Sequence, residues 1–225
     1  MNQQRRLERI EIPSYSLNQE MFNGISHFAG VFIGVVIIFN AIALRYVSGL
    51  LLNYYIGLLV FGVTAILLYL ISGLYHIENP KRTKSKRIKR ILDHCTIYLL
   101  IAGTYTPICL YIMSIHPIGL ALLIIEWILA ALGITLNAIN MQNKIIQGIS
   151  MFLYLALGWM ILFSGGFTYL PFNSFLYILI GGIIYTIGSI TYGIGHKNLN
   201  FHSLFHVFVL LGTIFQTYGV IILFK

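Results

Sequence analysis

The chain has 225 residues, of which 58% are hydrophobic and only 9% charged. Soluble domains carry roughly 25% charged residues, and no water-facing fold of this length buries so much apolar surface, so the soluble classes are excluded. The formal net charge of +8 has no basic soluble domain to sit in, which argues against nucleic acid and for basic loops flanking a membrane.

The apolar runs are continuous and lack the ~10-residue alternation of a membrane β-barrel. The expected fold is therefore all-α: a polytopic bundle of transmembrane helices in the cell membrane. Residues 1–20 are polar and carry Arg5, Arg6 and Arg9, and read as a cytoplasmic N-terminal segment. Residues 21–225 read as one seven-helix domain. Its apolar runs are Ile25–Leu44, Tyr54–His76, Thr96–Met113, Ile118–Leu136, Ile145–Phe163, Phe175–Tyr192 and His202–Phe224. Each approaches the ~20 residues that cross a ~30 Å hydrocarbon core. The first is too long for the apolar part of a signal peptide and lacks a clear cleavage site, so it reads as a retained span.

With seven spans, the loops after the second, fourth and sixth share a side with the N-terminus. That side holds Arg5, Arg6, Arg9, the Lys81–Arg90 cluster, Lys144 and Lys197; only Arg45 and Lys225 fall on the other. The bias predicts an N-terminus inside and a C-terminus outside, with the cluster facing anionic headgroups. Ser114–Pro117 should close a tight hairpin between the third and fourth spans. Cys95 and Cys109, about 21 Å apart along one helix, cannot form a disulfide, which needs Cα atoms within ~7 Å. Pro107 should bend the third span. Gly182, Thr186, Ser189 and Gly193 share a face of the sixth span. That face, like Gly30 and Gly34 in the first, is expected to pack against a neighbouring helix.

The ionisable groups gather at one depth. His76 ends the second span, Asp93 opens the third, and His202 and His206 open the seventh at the same face. Four residues apart on a helix, the last two share one side, about 6 Å apart along the axis. Ser72 lies one turn before His76, and Glu20, Asn23 and His27 share a face at the start of the first span. Polar groups facing lipid are costly, so these should turn inward and meet. Three imidazoles with a nearby carboxylate suit a first-row metal, and three neutral nitrogens with an open position form the pattern of a catalytic zinc site. Asp93 is either a fourth ligand or the base for a metal-activated water. Ser72 either orients that water or bonds a substrate carbonyl. His-x3-His lacks the glutamate of the His-Glu-x-x-His proteases, so a peptidase is not expected. His94 and His27 read as helix contacts, His116 and His196 as loop residues. Glu126, near the middle of the fourth span, is expected protonated or paired inward. No role is assigned to Glu20, His27, His94 or Glu126.

These segments resemble the hemolysin III family, the bacterial branch of the progestin and adipoQ receptor (PAQR) family. The matching residues are Glu20-x2-Asn23-x2-Ser26-His27, Ser72-x3-His76, Leu92-Asp93-His94 with Ile97 through Pro107, Gly158-Trp159, Gly181-Gly182-x2-Tyr185-x2-Gly188 and His202-x3-His206. The resemblance implies a seven-helix bundle holding zinc on the cytoplasmic side through His76, His202 and His206, with Asp93 near the zinc-bound water and Ser72 beside it. It also implies kinship with membrane hydrolases that include the alkaline ceramidases, and a link to haemolysis and membrane lipid homeostasis. Three functions follow: a zinc-dependent hydrolase of a lipid amide or ester, a non-enzymatic sensor of membrane composition clamped by its metal, and a pore-forming cytolysin. The third is disfavoured by the lack of a cleavable signal. Membrane lipids are the expected partners, with an acyl lipid or fatty acid in the bundle cavity.

Overall fold

The computed structural model describes residues 7–195 and 199–225; Arg5, Arg6, His196 and Lys197 lie outside them. The helices are α1 (Leu17–Val47), α2 (Leu52–His76), α3 (Thr83–Met113), α4 (Ile118–Asn140), α5 (Lys144–Gly158), α6 (Met160–Phe163), α7 (Phe172–Gly195) and α8 (Asn200–Ile221), with no strand among the described residues. Six of them, counting α8 with the 3-10 turn that extends it to Phe224, are long and apolar enough to cross a membrane. Large apolar side chains point outward, Phe32 being 72% exposed and Phe163 81%. Asn23, His27, Ser72, His76 and Glu126 are buried inside. A bundle that is greasy outside and polar within is built for lipid, so the protein is a multi-pass membrane protein.

Local sequence explains where the helices begin and end. The first starts at Leu17 rather than Ile25 because Ser16 and Gln19 form a capping box. Gln19 N–H donates to Ser16 Oγ at 3.3 Å and Ser16 N–H to Gln19 Oε1 at 2.9 Å, satisfying donors that a helix start leaves orphaned. The third starts at Thr83, so Lys84 to Arg90 are helical and only Lys81 and Arg82 of the basic cluster stay in the loop. It ends at Met113 and α4 begins at Ile118, the tight hairpin expected from Ser114–Pro117.

The fifth apolar run, expected as one span, is divided at Trp159. Gly158 ends α5 and a single turn, α6, follows. Tyr105 on α3 bridges the break: its hydroxyl donates to Gly158 O at 2.9 Å and accepts from Ile161 N–H at 3.2 Å. Unpaired backbone in hydrocarbon is costly, and such breaks persist where protein satisfies them.

Successive helices pack α1 on α2, α2 on α3 and α3 on α4; α7 packs on α8, and α1 closes back on α8. In its apolar window α3 is 72% buried against 28% for α4 and α7, so it is the central post. Gly34 of α1 meets Gly62 of α2: a Cβ there would stand 2.7 Å from Gly62 O, the close approach expected of that glycine. The small-residue face of α7 behaves otherwise. Gly182, Thr186 and Ser189 line an internal cavity, and a Cβ on Gly193 would meet nothing within 4 Å. The face that packs is one residue back. A Cβ on Gly181 would stand 3.0 Å from Gly212 O of α8, and one on Gly188 3.0 Å from Phe208 Cβ. One residue is about 100° of helix rotation, and that rotation turns the predicted contact face into a cavity wall. Cys95 and Cys109 are both free thiols.

Candidate metal centre

Three helix ends converge at one side of the bundle. His76 is the last residue of α2, and Ser72 lies one turn earlier. Gly24 of α1 rests against this end: a Cβ on it would lie 2.7 Å from Ile77 Cγ2 and 3.7 Å from His76 Cβ. That approach brings Glu20, Asn23 and His27 against His76. His202 and His206 occupy the first two turns of α8. Gln19 Nε2 donates to Asn200 Oδ1 at 2.8 Å, tying the start of α8 to that of α1.

The imidazoles meet as expected. Among the described residues, His76, His202 and His206 are the group whose ligand atoms all lie within 4.8 Å of one another. His202 Nε2 and His206 Nε2 are 3.1 Å apart, close to the ~3.3 Å that two nitrogens take around a tetrahedral ion with ~2.0–2.1 Å bonds. His76 Nε2 and His206 Nδ1 are buried with no hydrogen-bond partner among the described residues, which is costly unless something else satisfies them. Two ring nitrogens aimed at each other, with an unpaired third beside them, form a donor set that fits a metal ion, and the group can hold one.

Asp93 stands at the same end but outside that mutually close set. Ser72 and Asp93 line one cavity together with His202 and His206. Asp93 therefore lies beside the imidazole group rather than within it. His27 is not hydrogen-bonded to Asn23 or Glu20. Its ring lies on that of His206, centroids 3.8 Å apart, and on the edge of Tyr69 at 5.3 Å, while both its nitrogens and the Asn23 amide lack partners. His94 sits in the cavity wall with its ring 6.1 Å from that of Tyr192, outside the ligand group. His116 lies in the α3–α4 turn, stacked on Tyr169. Glu126 is fully buried with neither oxygen partnered among the described residues.

Two features escape sequence reasoning. Tyr15 covers the centre, its ring stacked on His202 at 5.0 Å and edge-on to His76 at 5.7 Å. Its segment is pinned by Arg87 Nε, which donates to Ile10 O at 3.0 Å. Lys86, counted above with the headgroup-facing cluster, points inward instead. It is 1% exposed and pairs with Glu20, because its helix turns that position toward α1. On the loop side, Glu78 pairs with Lys89 and accepts from Ser85 Oγ at 2.7 Å. These contacts hold the Glu78 carboxyl down to about 2, with the Lys89 bond the larger cause.

From the imidazoles a cavity of about 140 Å³ runs into the bundle. Ser72, Asp93, His202 and His206 line one end and Gln216 the other, with Leu100 and Val209 among the apolar residues between. His202 to Gln216 is fourteen residues of α8, about 21 Å at ~1.5 Å per residue. One leaflet's hydrocarbon is about 15 Å deep, half of the ~30 Å core, so the cavity is longer than one leaflet is deep.

The pattern of the family described as Haemolysin-III related matches residues 15–217. The chain is 36% identical over 203 residues to the hemolysin-3 homolog of Bacillus subtilis (strain 168), covering 88% of this chain and 91% of that protein. It is 34% identical over 213 residues to hemolysin-3 of Bacillus cereus, covering 92% of each. The match runs through every element that builds the metal centre, from Tyr15 to His206, and the chain belongs to the haemolysin-III related family.

Proposed function

We propose that this protein is a zinc-dependent hydrolase of a lipid amide or ester, working in the inner leaflet to adjust membrane composition. The observation that carries the reading is a single one: a largely apolar cavity, long enough for an acyl chain, ends at Asp93, Ser72 and two of the three clustered imidazoles, His202 and His206. Zinc is the metal favoured by three neutral nitrogens. When bound it would polarise an acyl carbonyl and make a water a better nucleophile.

The chain's own residues do the rest. The cavity wall holds the acyl chain and keeps bulk water away. Asp93, in the same cavity wall as Ser72, takes a proton from the attacking water as the water's oxygen bonds to the acyl carbon. The same proton then leaves with the amine or alcohol as the acyl–N or acyl–O bond breaks, giving a fatty acid and the freed amine or alcohol. The N-terminus and the centre face the cytoplasm, as the basic loops require. A reporter fused after Lys225 should therefore read outside, and a cytoplasmic reading would move the centre to the other leaflet.

Asp93→Asn tests the reading on full-length protein in detergent. Zinc content and folding should survive while release of fatty acid from ceramide-like or glycerolipid substrates falls by roughly 10²–10⁴, the usual worth of a positioned general base. Lost zinc and lost stability would instead make Asp93 a ligand of a structural clamp. That second reading is favoured by the way the imidazoles join α2 to α8, and it would make the protein a sensor of membrane composition. A parent protein that holds zinc and turns over none of these lipids overturns the hydrolase. Haemolysis is carried by the relatives' names and needs no separate pore in this account.

A further inference from the structure

We propose that Glu20, braced by Lys86, is the positioning residue that presents His76 to the metal through Nε2. The proposal rests on the metal reading above and goes beyond it by assigning a ligand atom, its tautomer and the residues that fix both. Glu20 joins α1 to two other helices. One carboxyl oxygen, Oε2, lies 2.6 Å from His76 Nδ1 on α2, and the other, Oε1, accepts from Lys86 Nζ on α3.

The first contact settles the imidazole's chemistry. A carboxylate only accepts, so His76 carries its proton on Nδ1 and leaves the Nε2 lone pair free. That nitrogen is buried with no hydrogen-bond partner, on a ring whose centroid is 4.8 Å from that of His206 and 5.5 Å from that of His202. Carboxylates behind metal-ligating histidines fix the ring in this way and make the ligand more basic.

The second contact explains why a charge is tolerated here. Lys86 is 1% exposed, also donates to Glu78 O at 3.4 Å, and lies 5.5 Å from the centre of the Tyr75 ring. A buried ion pair is rarely the most stabilising choice at its position and is often replaceable by apolar side chains. As a mere link between α1 and α3 the pair would be a poor one; its use lies in the free oxygen it directs at His76. His27, on the same face of α1, shows the contrast: both its nitrogens lack a hydrogen-bond partner and none of its contacts is to a carboxylate.

The test separates the hydrogen bond from the charge pair. Glu20→Ala alone leaves Lys86 buried without its partner and can fail to fold, so two double variants are compared in full-length protein. Glu20→Gln with Lys86→Met removes both charges but keeps an amide oxygen to accept from Nδ1–H. Glu20→Ala with Lys86→Met removes the acceptor as well. Zinc affinity is read by competition with a chelator, and ring geometry by the visible absorption of the cobalt(II)-loaded protein. The Ala double should bind zinc about 10–100-fold more weakly than the parent, the usual cost of losing such a partner, with an altered cobalt spectrum. The Gln double should recover most of the affinity and the parent spectrum. Equal affinity in parent and Ala double overturns the proposal, as does equal weakening of both doubles, which would show that the charge pair alone matters. A parent that binds no zinc overturns the metal reading and this proposal together. Because the readout is affinity, a parent that binds zinc without hydrolysing lipid still decides the role of Glu20.

Discussion

Gly181 and Gly182 are neighbours in sequence with opposite surroundings, and alanine at each should move stability in opposite directions. At Gly182 the nearest atom to an added Cβ is Trp159 Cη2 at 3.8 Å, an ordinary contact at the cavity wall. Alanine there removes only the backbone entropy that glycine carries in a helix, a gain of about 0.5–1 kcal/mol. At Gly181 the added Cβ would stand 2.9 Å from Gln216 Cγ and 3.0 Å from Gly212 O. The second of these is backbone and cannot swing aside, and overpacking of this kind costs about 1–3 kcal/mol. At about 2–4 °C per kcal/mol for a chain of this size, thermal unfolding in one detergent should show Gly182→Ala a few degrees above the parent and Gly181→Ala several degrees below. If α7 packed through the Gly182–Thr186–Ser189 face, the signs would reverse. Equal destabilisation by both would refute the cavity along α7.

Tyr105→Phe deletes the hydroxyl that bridges the α5–α6 break and leaves Ile161 N–H and Gly158 O without it. A buried group left unpaired costs about 1–3 kcal/mol, and an unfolding midpoint within a degree of the parent would show that the bridge carries nothing. For Glu78, the carboxyl is held at about 2 against its ordinary 4.5. A depressed carboxyl stabilises the fold above its unfolded value and loses that contribution as pH falls through its folded one. Glu78→Gln should therefore unfold at a lower temperature than the parent at pH 6, with the gap closing between about 4.5 and about 2. A gap unchanged over that window would contradict the Lys89 and Ser85 contacts.

Much of this was legible in the sequence because lipid leaves few choices. Continuous apolar runs must be helices, and polar side chains that cannot face lipid must meet; so His76, Asp93, His202 and His206 could be brought to one depth from their positions alone. Rotation about a helix axis was less legible. Gly181 and Gly182 are equally small, and only the placement of α8 says which one packs. The break after Gly158 depends on a hydroxyl on α3, fifty-three residues away in the chain, which no local pattern announces. Lys86 sat in a run of basic residues that reads as a loop, and its inward turn is set by a partner on α1. The start of α1 was readable: Ser16 and Gln19 have the capping-box spacing ahead of an apolar run, three residues apart and outside the apolar window used to place the span. The assignment of Glu20 needed both of its partners in view, since its helix face was evident but its neighbours were not.

His76, His202 and His206 form a group that can hold one metal ion at the end of the internal cavity. Metal analysis of purified full-length protein beside its His202→Ala, His206→Ala double variant tests it most directly. The account predicts about one zinc per chain in the parent, loss of that zinc in the double variant, and a lower unfolding temperature with it, since metal affinity is coupled to the fold. Zinc undiminished in the double variant, or absent from a folded parent supplied with it, would contradict the account.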